Sequence, residues 1–246
     1  MISVISVYNN VRDLANKEQR GFITPEVFNT FARIAQQNVY NEMFSEITKG
    51  KQLRRGGIDG GRDESYLKNI KEDLSMYIRE VTLEGATGDV LADEDVAILA
   101  KPQDFNRLIA MRTPDNESIE IEYDSEKVAR LLNSLISRPT EAHPVAFLGE
   151  TIRLYPSGAS GAIMRYYRNP AAREPLSGDL DLFATPSYTV NSYNGDYYIP
   201  DPMECRNFDL PARYKGEITN EILKMMGIRL RDPNLTGFAS QEDAAE

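Results

Sequence analysis

Apolar residues in the first third of the chain recur every three to four positions, the period of a helix with one buried face. Val4, Val7, Tyr8, Val11 and Leu14 share such a face, behind Ser3, whose hydroxyl suits a helix N-cap. "KEQRG" closes this first helix, with Gly21 as its stop. Thr24-Pro25-Glu26 restarts the chain with Thr at the N-cap, Pro at the first helical position and an acid in the first turn. Val27, Phe28, Phe31, Ile34, Ala35, Val39, Met43, Phe44 and Ile47 follow, a stripe wide for a helix with a solvated face. Gly21–Phe44 is also poor in charge, which suits either the spine of a core or a contact with another chain. Val27, Phe28, Phe31, Ile34 and Ala35 read as core, packed on the first, third and last helices. Gln36, Gln37, Asn38, Tyr40 and Asn41 form a second face, polar but uncharged. Such groups are cheaper to desolvate than ions and suit a seam between subunits.

Thr48–Ser65, rich in glycine and carrying Lys49, Lys51, Arg54, Arg55 and Arg62, reads as a mobile basic loop. A third helix starts at Asp63, with Leu67, Ile70, Leu74 and Tyr77 in register. After about Arg79 the period shortens to that of strands. "SIEIEY" (118–123) and "TIRLY" (151–155) alternate, and "AIMRYYR" (162–168) reads as a strand. One helix interrupts them: Asp124 caps "SEKVARLLNSLI", with Val128, Leu131, Leu132 and Leu135 turned inward. Residues 169–202, rich in Pro, Gly, Asn, Ser and Tyr, read as long loops that still have side chains to bury. A last helix covers Glu217–Met226, with Ile218, Ile222, Leu223 and Met226 inward and Gly227 as C-terminal cap. The fold class that follows is α+β: a small helical bundle built from both chain ends with a β-rich insertion. The expected divisions are 1–78, 79–202 and 203–246.

The chain has 246 residues, 41% hydrophobic and 27% charged, ordinary values for a folded protein. A formal charge of −10 argues against general nucleic-acid binding, which needs clustered cations. Cys205 stands alone, so no intramolecular disulfide framework exists and a reducing cytoplasm is the expected folding compartment. The N-terminus lacks the basic start and apolar block of a signal peptide, and no apolar run reaches the ~20 residues of a membrane span.

Few motifs carry chemistry. His143, the only histidine, stands before Pro144 in a loop and reads as solvated. One His and one Cys cannot assemble the usual zinc sets. "DPNLTGFASQED" (232–243) resembles a calcium loop but ends in Asp243, and the chain stops before a second helix could form. The Lys49–Arg62 loop lacks the order of a phosphate-binding loop. Acid pairs in "ADEDV" (92–96) and "SGDLDLF" (177–183) read as solvated turns. No enzyme, cofactor or metal is expected. Tyr188, Tyr193, Tyr197 and Tyr198 resemble a contact surface, since Tyr offers amphipathic area with little rotamer entropy to lose; the alternative is tyrosines folded back on the β-region. The candidate subunit-interface residues are therefore Gln37, Tyr40, Asn41, Arg54, Arg55, Tyr193, Tyr197 and Tyr198.

Three segments carry a family resemblance. "VYNNVRDLANKEQRGFITPEVFNTFARIAQQNVYNEMF" (7–44) resembles the N-terminal region of virion structural proteins of tailed bacteriophages, notably crAss-like phages. "TIRLYPSGASGAIMRYYRNPAAREP" (151–175) resembles an internal segment of those proteins, and "NFDLPARYKGEITNEILKMMGIRLRDPNL" (207–235) resembles their closing helix. The resemblance implies a head–tail connector, adaptor or tail-ring protein, assembled in the host cytoplasm and resident in the virion neck or tail. It implies rings of about a dozen copies closed by heterologous contacts. It also implies the portal and other neck or tail rings as neighbours, and DNA passing through without specific binding or any membrane contact. The Tyr- and Asn-rich loops leave a receptor- or glycan-binding virion module as the alternative.

Overall fold

Helix α1 (Val4–Lys17) begins where its free N–H groups find acceptors. In the computed structural model, which describes residues 1–17, 23–55, 64–83, 96–157, 161–170, 185–194 and 198–229, Ser3 supplies two of them. Its Oγ accepts the N–H of Ser6 at 3.4 Å and its carbonyl that of Val7 at 3.1 Å. The third comes from far along the chain: Asn207 Oδ1 accepts the N–H of Val4 at 3.1 Å. Beside it, Ile2 and Phe208 form an antiparallel bridge, and Lys215 Nζ donates to Ser6 Oγ at 2.7 Å. Residues 2–6 and 207–215 thus close on each other. The buried face of α1 is Val4, Val7, Tyr8, Val11 and Ala15; Leu14, expected inside, is exposed, one position off the stripe.

Helix α2 (Pro25–Arg55) begins at the predicted proline, with Phe28 N–H bonded to the Thr24 carbonyl at 3.0 Å. Its core face keeps Phe28, Ala35, Val39, Met43 and Phe44 of the expected stripe but not Val27, Phe31 or Ile34. Phe28, Ala32, Ala35, Val39, Tyr40 and Met43 are buried at a sustained helical spacing, and Gln36 is buried among them. Val27 and Phe31 are only half-buried, and Ile34 is 42% exposed. The helix also runs on to Arg55, so Thr48–Arg55 is not loop. The Thr48 hydroxyl bonds the Phe44 carbonyl at 2.9 Å and Lys49 pairs with Glu46 at 3.2 Å. The favourable propensities of Lys, Gln, Leu and Arg outweigh the ~1 kcal/mol that Gly50 costs. The rest of the expected basic loop, 56–63, lies outside the described residues.

Helix α3 (Glu64–Ser75) buries Leu67, Ile70 and Leu74 as the pattern predicts. Arg213 pairs with its Asp73 and lies over the Tyr214 ring. Helix α5 (Lys215–Arg229) packs on α1 and α2 through Ile218, Ile222, Leu223 and Met226. It passes through Gly227 rather than ending there.

The chain divides into two units, Met1–Leu74 with Pro170–Glu246, and Ser75–Asn169. The insertion therefore ends at Asn169 rather than 202. Residues past Pro170 return to the helical unit because Tyr188 packs there. Its ring stacks on Tyr8 at 4.0 Å, and Asn29 of α2 bonds its backbone N–H and carbonyl at 2.7 and 3.2 Å. The fold is an α+β mix, with a helical unit built from both ends of the chain and a strand-rich insertion.

The insertion is layered. Strands β1 (Ile78–Thr82), β7 (Ile163–Arg168) and β3 (Phe105–Arg112) form an antiparallel sheet in the order β1-β7-β3. A second sheet is ordered β2 (Ala97–Leu99), β6 (Ile152–Tyr155), β5 (Val145–Leu148), β4 (Glu120–Glu122), with β4 parallel to β5. Period-2 alternation sends Met164, Tyr166 and Met111 from the first sheet, and Ile152, Leu154 and Ala146 from the second, into one shared core. Tyr155 and Phe147 leave the opposite side of the second sheet and meet Val128 and Leu132 of α4 (Ser125–Leu132). Sheet, sheet and helix thus stack in that order. A hairpin, β8 (Val190–Tyr193) with β9 (Tyr198–Pro200), belongs to the helical unit.

Candidate interaction surfaces

Helix α4 positions the least expected surface. Asp124 caps it as predicted, its carboxylate accepting the Glu126 N–H at 2.9 Å. The helix then stops at Leu132, because the Asn133 side chain competes for the Ala129 carbonyl at 3.0 Å. Ser134 N–H reaches back to the Leu131 carbonyl at 3.1 Å, and Ser134 Oγ accepts the N–H groups of Ile136 and Ser137 at 3.3 and 3.1 Å. This turn carries Leu135 and Ile136 away from the body, both essentially fully exposed. Leu135 was expected inside a longer helix; it is instead half of an apolar tip on a hydrogen-bonded turn. Tyr123, at the other end of α4, is also exposed. Lys127 pairs with Glu122, a contact that raises the lysine's pKa.

The outer face of the β1-β7-β3 sheet lies on the opposite side of the layered unit. Arg165 and Tyr167 of β7 point outward, since their neighbours Met164 and Tyr166 point into the core. The register places Arg107 beside Tyr167, Ala110 beside Arg165 and Arg112 beside Ile163. A bulge between Leu108 and Ala110 turns Ile109 outward with Ala110. Arg112 bonds Glu80 of β1 at 2.5 Å and Asn116 at 2.8 Å; Asn116 takes the left-handed conformation that Asn tolerates in a turn. Arg107, Arg112 and Arg165 share this face with Glu80, which bonds Arg112 and stands opposite Arg165 in the register.

The predicted interface residues do not form one site. Tyr40 is completely buried, with its ring edge-on to Phe44 at 5.1 Å, so it belongs to the core and not to a seam. Gln37 is half-buried and Asn41 exposed; their amides meet at 3.5 Å. Arg54 and Arg55 end α2, and their side chains lie outside the described residues, as does Tyr197. Tyr193 is 55% exposed, its ring tilted against Tyr198 at 4.9 Å. Tyr188 is folded inward, but onto Tyr8 and Phe28 of the helical unit rather than onto the β-region, with its hydroxyl donating to the Tyr198 carbonyl at 3.1 Å. Burial raises the pKa of both Tyr188 and Tyr8.

His143 sits exposed in a turn closed by its N–H to the Thr140 carbonyl at 3.0 Å. The acid pairs at 92–96 and 177–183 and the calcium-like segment 232–243 lie outside the described residues, apart from Val96. Among the described residues, no group of three or more His, Cys, Asp and Glu side chains is placed to hold a metal ion. No described helix is long and apolar enough to cross a membrane. Scans against protein-family models and curated proteins give no match for this chain.

Proposed function

We propose that this chain is a structural protein of a tailed-phage virion, forming an oligomeric ring in the neck or tail through which DNA passes. The observation that carries the reading is the apolar tip at Leu135 and Ile136. Two adjacent aliphatic side chains held out on a hydrogen-bonded turn are surface that another chain would cover. The three segments that resemble phage virion proteins fall on α1 and α2, on β6 and β7, and on α5. They are scaffold elements, as a structural role requires. The charge of −10 suits a conduit that must not grip DNA. The portal and adjacent rings are the proposed neighbours. Quantitative mass spectrometry of purified virions tests this. The chain is expected at a fixed ratio to the portal protein; its absence from particles contradicts the reading.

A second reading rests on the Tyr193 and Tyr198 rings at the β8–β9 hairpin, a receptor- or glycan-contact surface of a virion module. Glycan-array binding that Tyr193→Ala abolishes supports it, and unchanged arrays exclude it.

A further inference from the structure

We draw no further inference here: the strongest candidate, the exposed Leu135–Ile136 turn that follows α4, already carries the reading above, and nothing in the structure shows what covers it.

Discussion

The side-chain oxygen of Gln36 accepts the backbone N–H of Asp209 at 2.9 Å, joining α2 to a segment 173 positions away in the chain. Both residues are buried. Gln36 is therefore a core residue whose amide satisfies a donor that water cannot reach. Gln36→Leu is expected to destabilise the protein by about 1–3 kcal/mol, the penalty of an unmet buried donor. Gln37→Glu, one residue on, replaces a half-buried side chain and gives up only a 3.5 Å amide contact with Asn41, so it is expected to cost less, within about 0.5 kcal/mol. Urea unfolding of both variants measures the contrast, and Gln37→Glu reports separately on assembly.

The insertion leaves and re-enters the helical unit through adjacent antiparallel strands, β1 and β7. Arg168 N–H bonds the Tyr77 carbonyl at 2.8 Å, and Asn169 N–H bonds the Asp104 carbonyl at 2.8 Å. The Asp104 carboxylate accepts from Tyr166 at 2.6 Å and Arg79 at 2.9 Å. A fragment of residues 75–169 has both termini in this paired stem and its own core, so it is expected to fold alone. A dispersed amide spectrum and a cooperative melt are the expected outcome.

Asp124→Ala removes the side-chain acceptor at the start of α4 and is expected to cost about 1 kcal/mol, because a free N–H returns to the first turn. Asp124→Asn keeps the acceptor and is expected to cost less. Chemical unfolding of the 75–169 fragment separates the two. The Leu135–Ile136 tip, whose turn is held by Ser134, is expected to tolerate either change.

Tyr8, Tyr166 and Tyr214 all have raised pKa values. Burial is the main cause in each, and in Tyr166 the bond to the Asp104 carboxylate adds to it. Their phenols stay protonated in the fold, whereas unfolded tyrosines ionise near pH 10. Below about pH 10 both states hold the proton, and these groups make no pH-dependent contribution. Above it the unfolded state loses protons first, so stability falls as pH rises. Melting temperature is expected to be flat with respect to these tyrosines near neutrality and to drop above about pH 10. Tyrosinate absorbance is expected to appear together with unfolding. Tyr166→Phe is expected to soften the alkaline decline.

The helices were the legible part of the sequence, and their faces less so. Helix α5 shows one clean stripe, and its inward residues are the ones its period predicts. Helix α2 begins with apolar residues on two faces. Val27, Phe31 and Ile34 favour one side over its first three turns, while Phe28, Ala32, Ala35, Val39 and Met43 favour the other over its length. The longer stripe wins because packing against α5 rewards sustained spacing. Gln36 lies on that stripe, hidden by a single bond to a distant backbone group that local pattern cannot reveal. Strand β3 is missing from the sequence reading because its bulge places Ile109 and Ala110 on the same side and breaks the alternation. The apolar tip was hidden for a related reason. Leu135 continues the α4 period, and only the bonds of Asn133 and Ser134 show that the helix has already ended. The outward arginines of β3 and β7 carry no local signal, since they become a patch only once the strands pair.

A reconstruction of the neck and tail from images of intact particles tests the central claim most directly. The proposal predicts a closed ring of this chain around the DNA path, with the Leu135–Ile136 tip of each copy covered by a neighbouring chain. Particles whose neck and tail rings are fully accounted for by other chains, with this one absent or confined to the receptor-binding tips, would contradict it.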